Sequence, residues 1–276
     1  MVKKANLSKT VGPTSARVLN ELFAKGKVIF ALDDVCEIYG RGRQETSHFL
    51  RDLVNRGVLA RIKSGVFLIL QMGQESAQLD NWPIIARALA GKSDYFISHY
   101  SAMRLHGMTT HPLMNVIITM PKRNSSKKVH HLLYQFIYSK PSHFWGMTQV
   151  WVTKQEKVSV SDIERTILDG LDRPDLCGGI KEIARGIWNK QIQIDWNKMV
   201  EYGRKYHSKA AVKRLGYILE NLKLGLESIS LLEKIIFSKK DYILLDPNGS
   251  KSGTYLSRWR IRINMNIDEI TASVWE

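Results

Sequence analysis

The sequence lacks the features that mark exported or membrane-spanning proteins. It has only 2 cysteines in 276 residues, Cys36 and Cys177, and they form neither a CxxC motif nor a disulfide framework. It has no run of about 18 apolar residues, which excludes a transmembrane helix. Its start, MVKKANLSKT, has no apolar core of the kind that a secretory signal needs. These absences predict a cytoplasmic protein with two free, buried thiols.

Acidic residues are also scarce relative to basic ones. The 41 Lys and Arg residues outnumber the 26 Asp and Glu residues, which gives a formal net charge of +15. An excess of this size predicts a polyanionic partner, either nucleic acid or an anionic membrane surface. The pattern of the first seventy residues favours nucleic acid, so no membrane partner is expected.

The composition is otherwise that of a globular protein. Hydrophobic residues make up 44% and charged residues 24%, so disorder and collagen-like repeats are excluded. At roughly 100–200 residues per domain, the length favours two domains. The polar stretch from Gln71 to Asn81 is typical of a linker, and we therefore predict domains at residues 1–75 and 76–276.

Between Tyr95 and Gln155 there is no Asp or Glu. The segment contains the basic residues Arg104, Lys122, Arg123, Lys127, Lys128, Lys140 and Lys154, and the histidines His99, His106, His111, His130, His131 and His143. A soluble surface normally mixes charges of both signs. The segment therefore indicates either an anion-facing surface or a β-rich region whose lysines are simply solvated.

The first seventy residues have the pattern of a winged helix-turn-helix domain. Thr14 or Ser15 is the expected N-cap of a first helix, and a second helix is predicted near Leu32–Tyr39. After a turn with two glycines, apolar spacing predicts a third helix over Arg43–Asn55. Two β-prone runs around Ser64-Gly65 predict a hairpin.

In a winged helix the third helix enters the major groove of DNA. The candidate DNA-binding residues are Arg41, Arg43, Gln44, Ser47, His48 and Arg51 on the turn and helix, with Arg61, Lys63 and Ser64 on the hairpin. Arginine pairs with guanine and glutamine with adenine, which suits base reading. The alternative is a winged helix used for protein contact. Glu45 and Asp52 lie on the same helix and are expected to pair with neighbouring arginines.

The remaining residues predict a larger mixed domain, so the expected fold class is α+β. The predicted elements are a helix from Trp82 to Ala90, strands at Val116–Met120, Leu133–Tyr138 and Val150–Thr153, a helix with Ser161 as N-cap and Glu164 in a capping box, a helix at Lys209–Leu222 and a final strand from Tyr255 to Met265.

This domain has a second set of candidate anion-binding residues. They are Lys122, Arg123, Lys127 and Lys128 in a hydrophilic loop, Arg204, Lys205, Lys209 and Lys213 around the Lys209–Leu222 helix, and Arg258, Arg260 and Arg262 in the final strand. Lys209, Lys213 and Arg214 are expected on the outer side of their helix, and the last three arginines on one sheet face. A solvated surface is the alternative for each group.

No motif predicts an enzyme, a metal site or a cofactor. His99 and His106 lie two helical turns apart without a nearby carboxylate, so packing or capping is the expected role. Glu164, Asp169 and Asp172 stand beside arginines, which favours a structural ion-pair cluster over a metal or acid–base group. The sequence has no P-loop, HExxH or GxSxG motif.

A series of short motifs follows the winged-helix start in a characteristic order and spacing. They are Arg61-Ile62-Lys63-Ser64-Gly65-Val66-Phe67, Ile97-Ser98-His99-Tyr100-Ser101-Ala102 with Leu105-His106-Gly107, Asp162-Ile163-Glu164-Arg165-Thr166-Ile167-Leu168-Asp169, Cys177-Gly178-Gly179-Ile180, Lys213-Arg214-Leu215-Gly216-Tyr217, Leu245-Asp246-Pro247 and Tyr255 with Trp259. Together they resemble the AbiEi antitoxins of type IV toxin–antitoxin and phage abortive-infection systems. The resemblance covers nearly the whole chain.

The resemblance implies a winged helix that binds inverted repeats of double-stranded DNA in its own promoter and represses the operon. It implies a C-terminal domain that is needed for antitoxicity and helps repression. The functional partner would be a nucleotidyltransferase-like toxin, without a stable complex. We expect a monomer in solution that binds DNA cooperatively. The alternatives are an RNA-binding protein that shields tRNA from the toxin, or an enzyme that reverses toxin action.

Overall fold

The protein has a mixed α+β fold. The computed structural model describes residues 11–70, 81–129, 131–153, 156–236 and 241–272. The helices are α1 (Pro13–Ala24), α2 (Leu32–Tyr39), α3 (Arg43–Asn55), α4 (Trp82–Ala90), α5 (His99–Leu105), α6 (Ile163–Asp172), α7 (Ile180–Lys190), α8 (Trp196–Lys205), α9 (Lys209–Leu222), α10 (Leu226–Ile236) and α11 (Ile267–Ala272). The strands are β1 (Ile29–Ala31), β2 (Leu59–Lys63), β3 (Val66–Ile69), β4 (Phe96–Ile97), β5 (Asn115–Met120), β6 (Lys127–Val129), β7 (Leu132–Tyr138), β8 (Met147–Trp151), β9 (Lys157–Ser161), β10 (Ile243–Leu244), β11 (Thr254–Leu256) and β12 (Ile261–Ile263). Within the described ranges no helix is both long and apolar enough to cross a membrane.

The chain divides into two compact units. The first comprises Met1–Asp94, Ser126–Tyr134 and Trp151–Val158, and the second comprises Tyr95–Ser125, Gln135–Val150 and Ser159–Glu276. The predicted boundary at residue 75 and most of the predicted linker lie outside the described residues, in the range 71–80. The boundary between domains therefore stays a prediction.

The first described helix, α1, starts at a different residue from the predicted one. The N-cap of α1 is Gly12, and Pro13 occupies the first turn. The expected caps Thr14 and Ser15 were wrong because proline, with its fixed φ and missing N–H, is favourable at the first helical position. The predicted bounds of α2 and α3 are confirmed.

The core of this unit forms from the apolar faces of its helices and one sheet. Leu22, Val35, Leu50 and Leu53 are buried together. The sheet has the strand order β1–β3–β2 and is antiparallel throughout. The predicted hairpin is confirmed, and Gly65 provides the positive φ of 68° that its turn requires.

In the second unit one sheet has the strand order β7–β5–β4–β9–β8. β4 is antiparallel to β5 and parallel to β9, with Ile97 opposite both Ile118 and Val160. The strand β8 ends at Trp151, whereas a strand was predicted at 150–153. In the first unit β6 pairs with the start of β7, so Lys127 and Lys128 are in a strand and the predicted loop ends earlier.

The N-cap residue of α6 also differs from the predicted one. The side chain of Asp162 accepts a hydrogen bond from the backbone N–H of Arg165 at 2.9 Å, so Asp162 is the N-cap. Ser161 is instead buried in β9, where its hydroxyl contacts that of Thr166 at 2.7 Å. Glu164 reaches across to accept from the backbone N–H of Asp195 at 2.8 Å. The predicted capping box was wrong because the strand extends one residue further.

Helix α9 packs against α6, α8, α10 and α11 and is buried from Ala211 to Leu219. Lys213 is only 2% exposed and Arg214 only 5% exposed, so the expectation that they face outward is wrong. The ammonium of Lys213 donates to the backbone carbonyl of Asp241. Apolar spacing alone places the Lys213 ammonium at the surface. It is buried because a backbone carbonyl from a distant segment accepts its hydrogen bond.

The predicted final strand is a hairpin. β11 and β12 are antiparallel, and Ser257 to Arg260 form the turn between them. Trp259 is fully buried against Gly216 of α9, whose missing side chain makes room for the indole ring. Arg258 and Arg260 lie in the turn and Arg262 lies in β12, so the three arginines do not share one strand face.

Candidate nucleic-acid interface

Helix α3 presents a polar face opposite its buried one. Leu50 and Leu53 point into the core, and the Phe49 ring stacks on Tyr39 with a centroid distance of 4.5 Å. The candidates Arg41, Arg43, Gln44, His48 and Arg51 are exposed, and Ser47 is half-buried. The 3.6-residue period of the helix therefore separates the candidate base-reading residues from the core as predicted.

A groove of about 840 Å³ lies between α3 and the β2–β3 hairpin. Seven of the nine candidate DNA-binding residues line it, namely Arg43, Gln44, Ser47, His48 and Arg51 from the helix and Arg61 and Ser64 from the hairpin. Asn55, one turn beyond Arg51, also lines it and was missed by the sequence reasoning. Within the described part of the chain, no Asp or Glu lines this groove.

The carboxylates near α3 pair mostly with arginines outside the groove. Glu45 lies 3.7 Å from Arg41, and Asp52 lies 3.4 Å from Arg56. All of these side chains except Arg56 are well exposed, so the pairs add little stability. Arg51 and Arg61 line the groove and form no ion pair with any residue in the described ranges. The lining of the groove is therefore positively charged.

Two candidates differ from the others in their contacts. Arg43 pairs with Asp33, but both side chains are about 70% exposed, so the pair is open to exchange. The ammonium of Lys63 donates to the backbone carbonyl of Ala88 near the end of α4. Lys63 does not line the groove, and we therefore assign it to holding α4 against the hairpin.

The residues of the second candidate set differ in their exposure. Lys122, Arg123, Lys128, Arg204 and Lys205 are exposed and Lys127 is half-buried. The ammonium of Lys209 caps the end of α8 by donating to the carbonyls of Gly203, Arg204 and Tyr206 at 2.9–3.0 Å. With Lys213 buried, these two lysines do not extend the exposed basic group.

The three arginines near the C-terminus have separate partners. Arg258 pairs with Glu220 and with Glu233, the latter at 3.0 Å. The guanidinium groups of Arg260 and Arg262 lie over the rings of Tyr242 and Tyr255, at 5.9 and 5.1 Å from the ring centroids. Their predicted common sheet face is therefore absent.

The histidines that were considered for a metal site are both engaged by the fold. His99 Nδ1 lies 2.8 Å from the hydroxyl of Ser98, and His106 Nε2 lies 2.6 Å from the carbonyl of Ser161. Burial lowers the pKa of both rings, which keeps them neutral at pH 7. Arg165 and Asp169 pair at 2.8 Å within α6, which agrees with the ion-pair cluster predicted around Asp169.

Comparison with known proteins shows the fold but no family. No family model matches the chain, and no curated protein matches it. The crystal structure of the RV2827C protein from Mycobacterium tuberculosis is similar, with a TM-score of 0.73 and 12% sequence identity. The match covers 100% of this chain and 99% of that chain. At this identity the similarity concerns the fold alone.

Proposed function

We propose that the protein is a DNA-binding transcriptional repressor whose first unit is a winged helix-turn-helix module. The order α1, β1, α2, α3, β2, β3 with an antiparallel three-stranded sheet supports this assignment. In this proposal α3 enters the major groove, and the β2–β3 hairpin contacts the adjacent phosphates.

The observation that carries the proposal is the lining of the groove beside α3. Arginine, glutamine, serine and histidine side chains of one helix face meet Arg61 from the hairpin, and no carboxylate of the described residues lines the same groove. Arg43 and Gln44 stand in the first turn of α3, where a recognition helix contacts base edges. In this proposal Arg51 and Arg61, which also line the groove, neutralise phosphates.

The resemblance to AbiEi antitoxins supplies the biological setting of the proposal. The operator would be inverted repeats in the protein's own promoter, bound cooperatively by monomers. The second unit would counter a nucleotidyltransferase-like toxin without forming a stable complex with it. Arg165, Asp169 and Arg214 belong to the motifs that carry the resemblance, and all three are buried. Their burial supports a structural role for these motifs in the second unit.

Fluorescence anisotropy with a labelled fragment of the protein's promoter tests the proposal. The double variant Arg51→Gln, Arg61→Gln removes two cations that line the groove and have no ion-pair partner among the described residues. Each lost phosphate contact lowers the slope of log affinity against log salt by about 1, so the slope should fall by about 2.

The variant Lys92→Gln is the matched control, because Lys92 is an exposed cation of the same unit that does not line the groove. It should bind promoter DNA as the original protein does. If the double variant keeps the original affinity and salt slope, or if promoter DNA and unrelated DNA bind equally, the proposal is wrong.

A second candidate function is tRNA binding that shields the toxin's target. Lys122 and Lys128 are exposed and form no ion pair with described residues, in a segment that has no carboxylate from Tyr95 to Gln155. A mobility-shift assay at low salt with tRNA and promoter DNA in parallel separates the two functions. Absence of a tRNA complex rejects this candidate.

A further inference from the structure

The second unit contains a cavity of about 300 Å³ that no part of the DNA-binding proposal uses. Five segments form it: the start of α5, the end of β5, residues 137–143, residues 165–173 of α6 and its C-terminal end, and residues 206–207 after α8. This volume is at the lower end of the range for sites that bind small molecules.

A buried carboxylate lines the cavity and lacks one of its hydrogen bonds. Asp169 is 4% exposed. Its Oδ1 accepts from Arg165 Nε at 2.8 Å and from the Tyr206 hydroxyl at 2.7 Å, while Oδ2 has no partner in the described structure. An unsatisfied buried oxygen is costly, so an N–H or O–H group of a ligand would be bound favourably there.

The groups around this carboxylate are held in fixed positions. The guanidinium of Arg165 lies over the Trp145 ring at 4.3 Å and the Tyr206 ring at 5.1 Å. His99 also lines the cavity and has a φ of 52°, in the left-handed region that non-glycine residues rarely adopt. Backbone strain of this kind at a cavity is characteristic of functional sites.

The exposed part of the cavity lining contains an aromatic ring and a cation. Tyr138 is 47% exposed, and the Arg123 guanidinium covers one face of its ring at 5.7 Å from the centroid. Lys140, also exposed, lines the cavity two residues further along and forms no ion pair with the described residues. An open aromatic ring next to cations is the combination that binds a base and its phosphate.

We propose that the cavity binds one nucleotide unit, with its base on the Tyr138 ring, its phosphate at Lys140 and a hydrogen-bond donor of the base or ribose at Oδ2 of Asp169. Aromatic stacking, a cation and an orphaned acceptor together match the three parts of a nucleoside phosphate. The same unit comes either from a free nucleotide or from the end of a nucleic-acid strand. The proposal does not depend on the DNA-binding groove.

Isothermal titration calorimetry with AMP, GMP, CMP and UMP tests the proposal on the full chain. At least one of these nucleotides should bind, and Tyr138→Ala should weaken its binding about tenfold because a stacked base is lost. Lys140→Gln should weaken it about fivefold. Both residues are exposed, so these variants are expected to fold; Asp169→Asn is a third variant, checked first by circular dichroism.

Tyr255→Ala is the matched control for Tyr138→Ala. Tyr255 is 60% exposed and has Arg262 over its ring at 5.1 Å, but it does not line the cavity. This control and the Arg51→Gln, Arg61→Gln variant should bind the nucleotide as the original protein does. The latter result separates failure of this proposal from failure of the DNA-binding proposal.

A short RNA oligonucleotide distinguishes the two sources of the nucleotide unit. Binding at least tenfold tighter than that of the mononucleotide, and weakened by Tyr138→Ala, identifies a strand end; equal or weaker binding identifies a free nucleotide. The proposal is overturned if none of the nucleotides binds, if Tyr138→Ala and Lys140→Gln bind as the original protein does, or if inorganic phosphate competes as well as the nucleotide.

Discussion

Arg214 is expected to be among the most important charged residues for the stability of the second unit. It is 5% exposed and donates to three backbone carbonyls, with Nη1 at 2.7 Å from Leu171, Nη2 at 3.0 Å from Leu244 and Nε at 3.0 Å from Leu245. The guanidinium group therefore joins the end of α6 to the segment around β10. Replacing it leaves three carbonyls without these donors, and the contacts to Leu171 and Leu245 are fully buried.

The size of the effect follows from these contacts. A hydrogen bond to a charged group contributes about 1.5–3 kcal/mol, and removal of a buried charge recovers part of its desolvation cost. We therefore expect Arg214→Met to lower the free energy of unfolding by about 3–5 kcal/mol. Arg214→Lys should cost less, about 2–3 kcal/mol, because one ammonium group lacks the planar fork that reaches three acceptors.

Urea denaturation, followed by tryptophan fluorescence and far-UV circular dichroism, measures these changes. Arg204→Met is the control, since Arg204 is an exposed arginine of the same unit, and its effect should stay below about 0.5 kcal/mol. A loss below about 1 kcal/mol for Arg214→Met, or an equal loss for Arg204→Met, would refute the reasoning.

Three further predictions concern packing, pH and recognition. Gly216→Ala should destabilise the protein by about 3 kcal/mol in the same assay, because the new Cβ would lie 2.0 Å from Trp259 Cζ3; an unchanged stability would contradict this packing. Burial lowers the pKa of His99, so on acidification the unfolded chain takes up a proton at higher pH than the folded chain, and stability should fall as the pH decreases through about 6.5. His99→Asn should remove up to about 1.4 kcal/mol per pH unit of this dependence, and an unaltered slope between pH 7.5 and 5.5 would exclude the assignment. Arg43→Gln with Gln44→Ala should abolish preference for the operator in a competition assay while antitoxicity in cells is retained; loss of both together would contradict a division of labour between the two units.

The sequence predicted helix and strand bounds correctly where short-range patterns determine them. The bounds of α2, α3 and the β2–β3 hairpin follow from apolar periodicity and from glycines at 40, 42, 57 and 65, which mark the ends of these elements. The candidate face of α3 is likewise a consequence of the 3.6-residue helical period. The candidate residues of α3 lie on one face because they belong to one helix, and their role in DNA binding stays a prediction.

The sequence predicted the wrong exposure for side chains whose hydrogen-bond acceptor lies in a distant segment of the chain. Lys213 and Lys63 look like surface cations, and each is instead bound to a backbone carbonyl more than twenty residues away. Period-two spacing of Arg258, Arg260 and Arg262 is typical of a strand, but the chain turns at residues 257–260 and Trp259 packs against Gly216 of α9. Propensity is a weak guide when a long-range contact of this kind competes with it.

Local order along the chain determined the mixed α+β class, the three-helix and hairpin pattern of the first unit and the polar outer face of α3. Tertiary structure alone decided which cations are buried, and it alone assembled the cavity beside Asp169 from five separated segments. The physical reason is that periodicity records which face of an element avoids water, whereas the partner of a buried charge is fixed only when the chain is folded.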